Sequence, residues 1–261
     1  MAGVIYHDTL APDIETASEG YARRFAGPLG EYLLGVQDEL VQELLAPYRG
    51  QIRRVLDVGG GHGQLAELLL ANGFEVWVHG SNEACAKRLQ PLIERFGDRL
   101  RFAVSSLWAL PFDERSFDLI TGVRLLAHVE RWQALLAEMS RVSNRFILVD
   151  FAPWASANIL EPILFRLKRR AEGNTRPFFC YWSSQIADVL RAEGFSRQTR
   201  QKEFFAPMVV HRFLNRPNLS RGMEAAFRAL GLTGALGSPV LLLAERPWDE
   251  PTATCHHRDP Q

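Results

Sequence analysis

The residues best suited to chemistry stand close together near the first quarter of the chain. A run of five, Gly59-Gly60-Gly61-His62-Gly63, follows the apolar stretch Val55-Leu56-Asp57-Val58. Glycine lets the backbone turn where L-residues resist, and lets a ligand approach the main chain closely. Between a buried strand and the helix after it, such a loop lies at the carboxyl end of the sheet, where open α/β folds bind ligands. Two phosphate-binding readings fail on spacing. A dinucleotide loop, G-x-G-x-x-G, meets Gln64 at its third glycine in one register and His62 at its second in the other. A phosphate-cradling loop requires a lysine, and none follows. His128 is of the type that titrates near neutral pH, suited either to removing a proton from an acceptor or to packing at a helix start. Arg124 nearby can pair with an acidic group or be simply solvated. His211 with Arg212, and His256-His257, have no partners at metal-ligand spacing, so no metal site is expected.

Composition narrows the partners. Thirty Lys and Arg balance thirty Asp and Glu in 261 residues, without the basic excess that neutralising phosphates demands, so no nucleic acid is expected. Three cysteines, Cys85, Cys180 and Cys255, are too scattered for a disulfide framework and read as reduced thiols of a cytoplasmic protein. No secretory signal opens the chain at Met1–Thr9. The longest apolar stretch, Phe146–Phe165, is interrupted by Asp150, two prolines, Asn158 and Glu161 and does not span a bilayer. Stable membrane anchoring is not expected. Peripheral contact remains open for Ala157–Arg170, apolar with a basic end, and for the aromatic run Phe178–Trp182. Both stretches suit equally an apolar acceptor pocket or packing on their own domain.

The elements that must position these groups alternate. Arg54–Val58, Glu75–His79, Leu100–Val104, Phe117–Gly122 and Arg145–Phe151 read as strands; Leu65–Leu70, Glu83–Phe96 and Trp132–Val142 read as the helices between them. This pattern implies right-handed βαβ units and a mostly parallel sheet with helices on both faces. Asp13–Leu45 reads as helical with a break at Gly27-Pro28-Leu29-Gly30. Beyond an inserted helix at 157–171 come a helix at Ser183–Glu193, a strand at Arg200–Phe205, a helix at Arg221–Leu230 and a last strand at Pro239–Ala244. We expect an N-terminal helical lid over 1–48, the ligand-binding domain over 49–246 with an insertion at about 152–182, and a loose tail over 247–261.

The strand and loop Val55–Gly63 resemble the first motif of class I S-adenosylmethionine-dependent methyltransferases, D/E-x-G-x-G-x-G, with Asp57, Gly59, Gly61 and Gly63 at its positions. Ala109–Asp118 is similar to the "LPF-x-x-x-x-FD" run of the small-molecule branch, continued by Leu126-Ala127-His128-Val129 and Arg141-Val142. The likeness covers roughly Tyr21–Phe151 and, more loosely, the final strand. It implies a Rossmann-like sheet of seven strands with an antiparallel last strand, S-adenosylmethionine as cofactor, and methyl transfer to a small molecule. It further implies cofactor contacts from Tyr21 and Arg24 of the lid, from Asp57, Gly59, Gly60, Gly61 and Gly63, from His79, Gly80 and Ser81, from Ser105, Ser106 and Leu107, and from Val123. Arg124, Phe151, Tyr181 and Trp182 fall where the acceptor enters, and His128 where a base is wanted. The sequence departs from the family at two points. His79 stands where an acid usually accepts from both ribose hydroxyls, and Ser106 where an acid often meets the adenine. A neutral imidazole accepts one hydrogen bond, not two. A non-catalytic cofactor-binding scaffold, or a methyltransferase acting on RNA or protein, are the alternatives.

Overall fold

Strand β1 (Arg54–Val58) buries four of its five residues, as a strand covered on both faces must. The computed structural model describes residues 23, 25–61, 63–156 and 178–247. Around β1 are β2 (Glu75–Gly80), β3 (Leu100–Val104), β4 (Phe117–Gly122), β5 (Ser143–Pro153), β7 (Arg197–Phe204) and β8 (Ser238–Glu245), in the order β3-β2-β1-β4-β5-β8-β7. The first five run parallel, and β8 lies antiparallel between β5 and β7. The expected seven-stranded arrangement is met, with one addition. A two-residue strand, β6 (Cys180–Tyr181), pairs in parallel with the end of β5 through Ala152 and Pro153. It is too short to show a period in sequence.

Helices cover both faces. One face carries α1 (Gly27–Leu45) and α2 (Gln64–Ala71), whose Leu40, Val41, Leu44, Leu65 and Leu69 pack on Val55, Val76, Leu119 and Leu241. The other carries α4 (Trp132–Val142) and α5 (Ser183–Ala192), whose Leu135, Met139, Ile186 and Leu190 meet Leu56, Ile120, Ile147 and Leu242. Each such side chain contributes about 1.5–3 kcal/mol on burial.

Several boundaries differ from the sequence expectations for local reasons. The break foreseen near Gly27–Gly30 falls just before them, at Phe25-Ala26, and Gly27–Gly30 form the first turn of α1: Pro28 sits where no N–H is missed, and a Cβ on Gly30 would strike the Phe25 backbone. The helix foreseen over Glu83–Phe96 is a 3-10 stretch (Glu83–Leu89) followed by α3 (Gln90–Phe96), because Pro91 supplies no N–H to a continuous helix. Between β7 and β8 three helices replace the single one expected: α6 (Met208–Leu214), α7 (Pro217–Ala229) and α8 (Leu232–Leu236). Asn215, in the left-handed region at φ 46°, stops α6, and Pro217 restarts the chain as α7. The inserted helix foreseen at 157–171, the tail and the first part of the lid segment lie outside the described residues. Among the described residues no helix is long and apolar enough to cross a membrane.

Candidate functional site

Leaving β1, the chain turns at Gly59, whose φ is 71° and whose N–H donates to the His79 carbonyl at 2.9 Å. It closes at Gly63, φ 81°, whose N–H donates to the Gly60 carbonyl and whose own carbonyl accepts from Glu67 to begin α2. Both angles belong to the left-handed region that glycine adopts without strain. Gly60 has a different requirement: a Cβ there would lie 1.9 Å from Oδ2 of Asp57. The Asp57 carboxyl thus fills the inside of the bend, where Oδ1 accepts from the Thr121 hydroxyl at 2.8 Å. Burial pushes its pKa up to about 6, against the opposing pull of that hydrogen bond and of Arg124.

Past β4 the chain reaches Val123 and then Arg124, another left-handed residue at φ 59°. Its N–H donates to Oδ1 of Asp150 at 2.6 Å, which fixes the turn at the end of β4 to the end of β5. Asp150 is buried and raised to about 6 by desolvation. Beyond it Glu203 of β7, also buried, is raised to about 8 by desolvation and then by Asp150. Gln37 of α1 donates to Glu203 Oε1 at 2.9 Å, and the next residue, Asp38, accepts from Gln64 Nε2 at 2.7 Å. A row of carboxyls therefore lines the carboxyl edge of the sheet, and the Arg124 guanidinium draws the pKa of each one down. Two polar atoms beside the bend are buried without a hydrogen-bond partner: Nη1 of Arg124, a donor, and Oε1 of Gln64, an acceptor. One donor and one acceptor are the set that the carboxylate and ammonium of an α-amino acid satisfy.

The structure brings Asp57, Gly59, Gly60, Gly61 and Gly63 together with Arg124, and adds Thr121, Asp150, Glu203, Gln37 and Asp38. Sequence reasoning missed the added five. The available signal was a carboxylate inside an apolar strand, as in Leu148-Val149-Asp150-Phe151, since charged residues are almost never fully buried without a partner.

The other expected residues are placed as follows. His79 is fully buried, and its Nε2–H donates to the Ser105 carbonyl at 3.1 Å beside the Ser105 hydroxyl at 3.0 Å. Gly80 is needed for packing, because a Cβ would come 2.7 Å from that of Cys85. Ser81 is half-buried next to it, and the Ser106 hydroxyl accepts from the Trp108 N–H. Leu107 belongs to the core on one face, and Val123 packs on the core of the other. Phe151 is buried in the core together with Tyr181. Trp182 is exposed on the surface. His128 ends a 3-10 turn (Leu126–His128), half-buried, its ring 5.8 Å from that of Phe178. Tyr21 and Arg24 lie outside the described residues.

The Tyr181 hydroxyl donates to the Leu126 carbonyl at 2.8 Å, holding the turn that carries His128, and burial raises its pKa. A stapling role predicts that Tyr181→Phe lowers stability by about 1 kcal/mol, the loss of one buried hydrogen bond, and leaves acceptor KM unchanged. A raised KM with an unchanged melting temperature would instead mark direct contact with the acceptor. Among the described residues no cluster of three or more His, Cys, Asp or Glu side chains is arranged to hold a metal ion.

Comparison with known proteins finds likeness to methyltransferases. Residues 55–145 match the methyltransferase domain family. Over 115 residues the chain is 36% identical to the ubiquinone/menaquinone biosynthesis C-methyltransferase UbiE of Methylobacterium nodulans, covering 41% of this chain and 46% of that protein. The chain thus spans under half the length of this curated relative. In fold it is similar to magnesium protoporphyrin IX methyltransferase from Synechocystis, solved with bound S-adenosylhomocysteine, at a TM-score of 0.58 and 18% identity over 89% of this chain and 96% of that one. A SAM-dependent methyltransferase from Thermotoga maritima gives a TM-score of 0.58 at 15% identity, over 90% of this chain and 99% of that one.

Proposed function

We propose, on the premise that residues 55–145 are a class I S-adenosylmethionine-dependent methyltransferase domain, that this protein methylates a small, apolar or aromatic acceptor. One observation carries the reading: the bend at Gly59–Gly63 is flanked by a complementary orphan donor and acceptor. These two groups fit the amino-acid end of the cofactor, with Arg124 Nη1 for its carboxylate and Gln64 Oε1 for its ammonium. When bound, the cofactor supplies a methyl carbon activated by a cationic sulfonium.

The chain's own groups supply alignment and field. Asp57 shapes the bend from within; Asp57 and Asp150, at about 6, are largely ionised at neutral pH and favour a positive ligand, whereas Glu203, at about 8, keeps its proton. His128, on the turn after β4, takes up the proton that an oxygen or nitrogen acceptor gives off. By the family resemblance Tyr21 and Arg24 are expected near the amino-acid end of the cofactor. The names of two similar proteins, a ubiquinone/menaquinone biosynthesis C-methyltransferase and a magnesium protoporphyrin IX methyltransferase, support a small-molecule acceptor. The cytoplasm is the compartment consistent with reduced cysteines.

Calorimetric titration with S-adenosylmethionine and S-adenosylhomocysteine tests the reading, followed by transfer of labelled methyl to fractionated metabolites. Both ligands are expected to bind, and Arg124→Ala to weaken both by roughly ten- to a hundredfold, the loss of a charge-assisted hydrogen bond. Absence of binding by either ligand overturns the proposal. Tight binding with no methyl transfer favours the non-catalytic scaffold, which the buried His79 at the end of β2 also supports.

A further inference from the structure

We propose that the corner between α6 and α7 is a docking surface for an anionic lipid bilayer. Three large apolar side chains stand out from this corner: Phe213 is 90% exposed, Val209 56% and Leu219 51%. Val209 and Phe213 are four residues apart on α6 and so share its outer face. Leu219 begins the next helix, just after the Asn215-Arg216 turn.

The corner is held from below. His211 is fully buried, and its Nε2 pairs with Glu224 Oε1 at 3.1 Å; Glu224 also accepts the N–H groups of Phe205 and Ala206, both at 2.9 Å. Those contacts lower the Glu224 pKa despite its burial. A loose loop would fold such residues away; here the inner face is locked, and the apolar residues remain outside.

Charge selects the partner. Between Phe205 and Gly237 the sequence holds four arginines, Arg212, Arg216, Arg221 and Arg228, and one acid, the buried Glu224, in a chain whose net charge is zero. Every exposed charge on the hairpin is therefore positive. Anionic headgroups neutralise such a patch, while apolar tips enter the acyl boundary. A twofold contact with a second copy would set Arg212 and Arg216 against their own counterparts. Nucleic acid would leave Val209 and Leu219 with nothing to bury against. The hairpin joins the carboxyl end of β7 to β8, and the guanidinium groups of Arg212 and Arg221 lie over the rings of Phe25 and Tyr32 at 6.0 and 5.4 Å. Docking would thus bring the edge of the sheet that carries the glycine bend toward the membrane.

The test is co-sedimentation of the full chain with vesicles of phosphatidylcholine alone and of phosphatidylcholine mixed with phosphatidylglycerol. Binding is expected to the mixed vesicles only, and to fall in high salt. Val209→Ser with Phe213→Ser, and separately Arg216→Glu with Arg221→Glu, should each reduce partitioning about tenfold, with S-adenosylmethionine affinity as in the wild type and a melting temperature lowered only in the second pair, by loss of the Arg221–Tyr32 contact. The inference fails if the mixed vesicles bring down no protein, or if either pair of substitutions leaves partitioning unchanged. It fails equally if Phe213→Ser dissociates a dimer of a chain that ignores vesicles. Because cofactor affinity is read separately, loss of vesicle binding and loss of the methyltransferase reading are distinguishable.

Discussion

Gly60→Ala is expected to abolish cofactor binding, lowering affinity more than a hundredfold, and to cost about 2 kcal/mol of stability as an overpacked core does. The new Cβ would lie 1.9 Å from Oδ2 and 2.4 Å from Cγ of Asp57. Asp57 cannot yield freely, because Thr121 holds its other oxygen in a fully buried place. Either the carboxyl rotates and loses that bond, or the bend moves outward and carries Gly59, Gly61 and Gly63 from their positions. Both outcomes alter the surface a ligand meets. The double variant Gly60→Ala with Asp57→Ala removes the colliding atoms and should recover most of the melting temperature. Gly35→Ala is the control: it lies within α1 with nothing inside 4 Å of its would-be Cβ, so it should raise stability by roughly 0.5–1 kcal/mol and leave binding alone. Calorimetry and thermal melts decide the matter. Wild-type affinity in Gly60→Ala would remove the bend from the binding site.

The second large effect concerns Glu203, held at about 8 by burial and by Asp150. In the unfolded chain this carboxyl ionises near pH 4. Below that pH it is neutral in both states and affects neither. As pH rises from about 4 to about 8 the unfolded chain loses the proton first, so the fold binds more protons and stability falls across that window. Asp57 and Asp150, raised to about 6, add to the fall between about 4 and 6. Glu203→Gln keeps an oxygen for Gln37 and has no proton to lose. We therefore expect it to stabilise the protein at neutral pH by on the order of 3 kcal/mol, or roughly 6 °C in melting temperature, and to flatten the decline toward pH 8. Melting curves from pH 5 to 8 with the same slope in both proteins would contradict this.

The glycine bend was legible in sequence because its determinants are local. Left-handed turns at Gly59 and Gly63 require the residue type that stands there. The parallel sheet was equally legible, since each strand from β1 to β5 is an apolar run closed by turn residues. What escaped are contacts made across the chain. Gln37 and Glu203 are 166 residues apart, and nothing near either announces a partner. Arg124 reads in sequence as paired with an acidic group or solvated; that its backbone N–H is held by Asp150 and its Nη1 buried emerges only in the fold. The side chain of His79 points inward because Ser105, just past the end of the neighbouring strand, offers it a carbonyl, a matter of register and not of residue type. Helix α6 has only seven residues and so leaves little period to read, and β6 is visible only once β5 is present to pair with it.

At the end of the sheet opposite the glycine bend, the single side chain of Arg246 donates to the carbonyls of Ser140, Ser143, Asn144 and Glu193 and lies 4.3 Å over the ring of Phe195. That fork clamps the ends of α4 and α5 to the start of β5, while Arg145 and Glu245 join the neighbouring strand ends at 2.7 Å. The molecule in consequence has an anchored base and a separate working rim. Rearrangements at the rim that admit and discharge ligands need not unravel the base, and amide exchange should be slowest around the Arg246 fork.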